Sequence, residues 1–528
     1  MSLWNLAARY GALPGTIFAA GMGLAAAQPA PKPGGHLIYA QSSFPPCLDL
    51  AQSARAQNAS RQILDNLTDQ DKKSGEIRPW LAISWEFQDE NKTLVLKIRD
   101  GVRFSNGEKL DAAAVKANFD AIMKLVKEGR APQAAGYLSG FVEAKAVDPM
   151  TVSLSFELPK AGLLQSLAEK PLSMLAPETL AKSADERCAG QLIGSGPFII
   201  TEVVTNDRIV FRRNPDYNWA SPNAEHQGPA YLEKLTFQTV PEGGVRTGIM
   251  ISGQAGAVDD IPVQSYAQVR AAGIKLVART AGGVGINLIP NFSRPVMADL
   301  AVRRAMQHAI NRDEIVKALY SDLDTAATSP LSHTVPFYAD MTPLMKYDPE
   351  RAKQILDEGG WKPGADGVRE KEGRKLRMQV IWSFPGFRPD MELIKAQLAQ
   401  VGMDLVLSLR TDTEIGSVIR SGRYDLRMSD FTRPDPDVML GLFSSKYNST
   451  IKAPQPELDA LLDKQSSAMD NAERAKLVRE VQEMMVGQGY AIPIKESISV
   501  VGTAPNVHGL WMSTPRWPVF HDTYIAAE

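Results

Sequence analysis

Apolar positions alternate through much of the first half of the chain. In TLVLKIR, residues 93 to 99, Leu94, Leu96 and Ile98 share one face and a DG pair follows, which predicts a strand ending in a turn. TVSLSFEL, 151 to 158, repeats the pattern with Val152, Leu154, Phe156 and Leu158, and RIVFRR and KLTFQTV add two further strands. Helical spacing is interleaved with these runs. Asp111 is suited to cap AAAVKANFDAIM, in which Val115, Phe119 and Ile122 fall on one side.

The pattern restarts near residue 285. DLAVRRAMQHAI places Val302, Ala305, Met306, Ala309 and Ile310 at helical spacing, and Asn311 with Glu314 three residues on has the form of a capping box. YDPERAKQILDEGGW predicts a helix capped by Asp348, with Pro349 in its first turn, Gly359 near its end, and Ala352, Ile355 and Leu356 buried. LRMQVIW, MELIKAQLAQVG and MDLVLSL then read as strand, helix and strand. That spacing implies a parallel α/β sheet.

A chain of 528 residues exceeds one ordinary hydrophobic core, so two or more lobes are expected. Hydrophobic content of 44% and charged content of 22% are those of a globular protein, and a net charge of -2 argues against a nucleic-acid surface. No interior apolar run approaches the roughly 20 residues that span a bilayer. The segment GALPGTIFAAGMGLAAAQPAPKPGG, 11 to 35, has the order of a secretory signal peptide followed by a Pro/Gly tether, with cleavage expected after Ala27. Cys47 and Cys188 are the only cysteines; in an exported protein they could form one disulfide, the alternative being two separate buried thiols. No CxxC or HxxxH pair exists for zinc, and no cofactor or metal is expected.

A set of phrases in fixed order resembles the extracytoplasmic solute-binding proteins that serve ABC importers of peptides, nickel chelates and opines. They are IRDGVRFSNGEKLDAAAVKANFDAI, IGSGPFIITEV, RIVFRRNPDYNW, LAVRRAMQHAINRDEIV, YDPERAKQILDEGGW, GRYDL, YAIPIKESISVV and PNVHGL, together spanning nearly all of the chain after the tether. The resemblance implies a two-lobe α/β clamp of the large peptide-binding class, with the second lobe inserted into the first. The expected divisions are a signal peptide at 1–27, a tether at 28–35, lobe I at 36–283 and 500–528, and lobe II at 284–499. It also implies a periplasmic monomer that captures a short peptide or peptide-like solute and hands it to a membrane permease with its ATPase, without catalysis. An opine or a nickel chelate is the alternative ligand. A secreted hydrolase is the alternative class, but HExxH, GxSxG and GxxxxGK[ST] are all absent.

The stretch RYDLRMSDFTRPDPDVML, 423 to 440, is dense in both signs of charge. In the family an aspartate shortly before a DPD-like turn pairs with a peptide's α-ammonium. Here either Asp430 takes that role through a two-residue insertion, or the amine site is altered. Arg433 adds a cation suited to an acidic ligand, whereas Asp435 and Asp437 are expected to cap the next helix. The competing reading is a solvated loop whose charges pair in water. Lys170 matches a position where nickel-chelate relatives carry a carboxylate-binding arginine. Trp382 and Phe384, in WSFPGF, stand in a segment where dipeptide binders place an arginine. Ser42, Ser43 and Phe44 follow the first strand and are expected to line lobe I.

Overall fold

The computed structural model describes residues 30–53, 58–446 and 451–526; the expected signal peptide lies outside them. Three larger sheets organise the chain. A seven-stranded mixed sheet runs, edge to edge, Lys275–Thr280, Ile498–Thr503, Ala257–Asp259, His36–Gln41, Lys234–Thr239, Arg208–Arg213 and Phe198–Val204. A four-stranded antiparallel sheet is built from Ala82–Gln88, Thr93–Ile98, Thr151–Phe156 and Phe141–Asp148. These two belong to the first lobe. The second lobe is built on a five-stranded sheet ordered Asp404–Leu409, Arg377–Trp382, Leu426–Thr432, Gly283–Pro290 and Ile492–Lys495.

The alternating strands bury the face the pattern predicts: Leu94, Leu96, Val152 and Leu154 are fully buried. They pack on helix Ala112–Lys127, whose Val115, Phe119 and Ile122 enter the same core. Asp111 caps that helix by accepting from the Ala114 N–H at 2.9 Å. The second strand stops at Phe156, and Leu158 is 63% exposed. Its partner begins at Thr93, opposite Ser155, so no ladder remains to hold residue 158.

In the second lobe, Arg377–Trp382 and Asp404–Leu409 pair in parallel across helix Arg388–Ala399, while Gly283–Pro290 is antiparallel to both neighbours and makes the sheet mixed. Asp348 caps its helix through the Arg351 N–H at 2.9 Å. At Asn311 only half of the capping box forms. Its side chain accepts from the Glu314 N–H, but its own N–H goes to Gln397 Oε1, and the Glu314 carboxylate accepts from Gln397 Nε2.

The chain passes between lobes twice, from Lys275–Thr280 to Gly283–Pro290 and from Ile492–Lys495 to Ile498–Thr503, and the Ala281 N–H donates to Ser497 O at 2.7 Å to tie the crossings together. Gly283 has φ +147°, and a Cβ there would sit 2.2 Å from Phe431 O, so only glycine fits this crossing. Among the described residues no helix is long and apolar enough to cross a membrane.

Candidate functional site

Between the lobes lies a cavity of about 470 Å³, within the usual size of a small-molecule site. The second lobe contributes Trp382, Phe384 and the strand Leu426–Thr432; the first contributes Tyr137, Glu169, Lys170, and Arg516 with Trp517. The strand places Arg427 through its pleat and Asp430 through the position of its end. Leu426 and Met428 point into the core, which leaves Arg427 on the other face, and the strand end carries Asp430 to the cavity.

Asp430 accepts from Ser497 Oγ at 2.8 Å and lies 3.7 Å from Arg516 Nη2. The Arg427 side chain makes no hydrogen bond among the described residues; burial pulls its guanidinium below the usual arginine range, against the opposing influence of Tyr424 and Asp430. Lys170 begins a short 3-10 turn and sits 3.2 Å from the centroid of the Trp517 ring. Burial pulls its ammonium well below the usual lysine range, with Glu169 opposing and Arg516 reinforcing that shift. Burial likewise pushes the Glu169 carboxyl up to about 7, although Gln165 Nε2 donates to it at 2.6 Å and Lys170 adjoins it. For both neighbours desolvation outweighs their mutual attraction.

Arg516 and Trp517 arrive on the loop between Trp511–Met512 and Pro518–Val519. This turn is held by Ser513 N–H to Trp517 O at 2.8 Å and Trp517 N–H to Ser513 Oγ at 3.1 Å. Arg516 takes φ +68°, a conformation a non-glycine residue adopts at some cost and one that marks functional loops. The indole N–H groups of Trp382 and Trp517 are buried without a hydrogen-bond partner among the described residues.

Of the residues singled out in the sequence, the structure gathers Asp430, Lys170, Trp382 and Phe384 around this cavity; Trp382 is buried and Phe384 is 59% exposed. Arg433 is placed elsewhere. It is buried against the other lobe, with Nη2 donating to Ser166 Oγ at 3.0 Å, its guanidinium 4.9 Å from the Tyr137 ring centroid, and Asp437 3.5 Å away. Asp435 and Asp437 serve mainly as partners of buried Arg474, at 2.6 and 3.4 Å, rather than as helix caps. Asp435 does accept from the Asp437 N–H, but the residue before the helix is Pro436. Ser42, Ser43 and Phe44 lie away from the cavity. Ser42 bonds to Asp259 and Asp260, and Phe44 packs on the seven-stranded sheet's core.

Cys47 and Cys188 are joined in a disulfide. His226, His521 and Asp522 are the one group among the described residues close enough to suggest a metal. Their rings stack at 4.2 Å and 9°, so parallel planes cannot both aim a lone pair at one ion, and each ring nitrogen already has a protein partner.

Sequence reasoning missed Arg427, Glu169, Arg516 and Trp517. Arg427 was accessible to it, because strand alternation puts it opposite Leu426 and Met428. Arg516 and Trp517 reach the cavity only through a tertiary contact.

A two-lobed α/β fold closing on a charged interlobe cavity defines a clamp for small solutes. Residues 76–451 match the profile of the bacterial extracellular solute-binding proteins, family 5 (middle region), and the chain belongs to that family. It is similar to the nickel-binding periplasmic protein of Escherichia coli (strain K12), 27% identical over 451 residues that cover 82% of this chain and 83% of that one. Heme-binding protein A of Haemophilus influenzae is 24% identical, with 91% of this chain and 90% of that one covered. Among solved structures, NikA from Brucella suis in complex with Fe(III)-EDTA superposes with a TM-score of 0.81 at 23% identity, covering 93% of this chain and all of the other. Family members are the extracytoplasmic solute-binding components of ABC importers, and this chain is a protein of that kind.

Proposed function

We propose that the protein captures a small acidic solute, peptide-like or a carboxylate chelate, in the interlobe cavity and presents it to an ABC permease without chemically changing it. The observation that carries this reading is Arg427, a half-buried cation in the cavity wall whose side chain has no hydrogen-bond acceptor among the described residues. Of the other charges lining the cavity, Asp430 lies near Arg516, and Glu169 adjoins Lys170 in the chain. A ligand carboxylate would satisfy Arg427 with charge-assisted hydrogen bonds, each contributing about 1.5–3 kcal/mol where water is excluded.

In the same reading lobe I comprises 36–283 and 500–528, lobe II comprises 284–499, and the protein works as an exported monomer with residues 1–27 removed. The passage of the chain between sheets at residues 281–282 and 496–497 supports these limits to within about two residues at each crossing. The Cys47–Cys188 bridge suits an oxidising compartment. The relatives named above bind nickel or heme by their names, which fits an acidic or chelated ligand better than a neutral peptide.

Thermal-shift screening of acidic, neutral and basic solutes tests the proposal. Stabilisation by acidic solutes without their consumption is expected. Stabilisation confined to neutral or basic solutes, or turnover of a bound one, would overturn it.

A further inference from the structure

The carboxylate of Asp430 has partners that all come from the chain itself. Ser497, at the second lobe crossing, donates a hydroxyl to Oδ2 at 2.8 Å, and Arg516 approaches the same oxygen at 3.7 Å. Arg516 belongs to the first lobe's C-terminal loop and Asp430 to the second lobe's central strand, so the pair spans the cavity. The Arg516 and Asp430 side chains are 22% and 34% exposed, which leaves the pair partly screened by water until a ligand fills the space.

The other cavity carboxylate, Glu169, is covered by Gln165 and flanked by Lys170. A ligand ammonium entering here would find both cavity carboxylates already engaged, in a lining that also carries Arg427 and Arg516. Like charges repel, and the repulsion strengthens as water is expelled. A ligand carboxylate meets the opposite situation.

Resting on the acidic-solute reading, we propose that Arg516 occupies the place of a ligand ammonium at Asp430, so that the site accepts polycarboxylates whose nitrogen is acylated, otherwise substituted or absent. Arg516 thereby determines specificity. It removes the requirement for a free amine. The strained backbone at residue 516 and the tight 513–517 turn hold it in that place.

Calorimetry with a matched pair, L-glutamyl-L-glutamate and its N-acetyl derivative, with citrate as an amine-free probe, tests this on the intact protein. For the parent, acetylation is expected to change Kd by less than about threefold, and citrate is expected to bind. In Arg516→Met, Asp430 is released, and the free-amine peptide should gain at least about 10-fold over the acetylated one, roughly 1.4 kcal/mol. Asp430→Asn, a gentler change, should affect both members of the pair equally. A parent that loses 10-fold or more on acetylation overturns the inference while leaving the acidic-solute reading intact. An unmoved ratio in Arg516→Met does the same. Binding of L-alanyl-L-alanine with exclusion of all three acids overturns both.

Discussion

The guanidinium of Arg433 donates to Ser166 Oγ at 3.0 Å and so joins the end of the second lobe's central strand to helix Leu163–Ser166 of the first. The same seam contains Ala161 N–H to Ser466 O at 2.9 Å and Gln70 Nε2 to Pro434 O at 3.1 Å. These contacts hold the lobes together without touching the cavity. Replacing Arg433 by Met should open the ligand-free protein and weaken every ligand roughly 10-fold, whatever its charge, as loss of a buried charge-assisted bond implies. Small-angle scattering should show a larger radius of gyration than the parent's. A loss restricted to acidic ligands would mean that Arg433 contacts ligand after all.

Gly162 supports the same seam from the other side. A Cβ there would lie 2.8 Å from Asp435 Oδ1 and 2.9 Å from Asp437 Oδ2, and neither carboxylate moves easily while Arg474 clasps both. Gly162→Ala should therefore favour the open form. Scattering and affinity should follow Arg433→Met in direction, and a variant as compact as the parent would contradict the account.

Glu169 gives the cavity a pH dependence. Its carboxyl is pushed up to about 7 by burial, above the ordinary 4.5, so the folded protein holds this proton more tightly than the unfolded chain does. The resulting stabilisation is complete below about pH 4.5 and is lost as pH rises through about 7, on the order of 1–3 kcal/mol. Asp259, also pushed up to about 7 by burial, titrates in the same window, so the measurement is the difference between the parent and Glu169→Gln in denaturant titrations across that range. Acidic ligands should bind the parent more tightly at pH 6 than at pH 8, and Glu169→Gln should flatten that difference. Equal slopes in the two proteins would exclude Glu169.

The Cys47–Cys188 bridge closes a sequence separation of 141 residues away from the cavity. Replacing both by Ser should cost about 2–5 kcal/mol of stability. Affinity should stay within about twofold by calorimetry, and a larger change would tie the bridge to the cleft.

Much of this architecture was legible in the sequence because its signals are local. Alternation in 93–99 and the side chains of Asp111 and Asp348 each act within a turn or a strand, and the structure repeats them. The signals failed where a distant group competed. Gln397 takes the N–H that a full capping box at Asn311 would satisfy, and Arg474 draws Asp435 and Asp437 away from simple capping. Charge density in 423–440 drew attention to a stretch that reaches the cleft, but did not say which charges face it. Arg433 and Asp430 are three residues apart and serve different ends, and Arg516 joins Asp430 only through the fold.

Arg427 is the cavity group most directly responsible for selecting an anionic solute in the proposed function. Mass spectrometry of solute released by denaturing freshly purified protein, parent and Arg427→Gln side by side, should find about one anionic molecule per parent chain and a depleted amount in the variant. A neutral or cationic solute in the parent, or equal retention by Arg427→Gln, would contradict it.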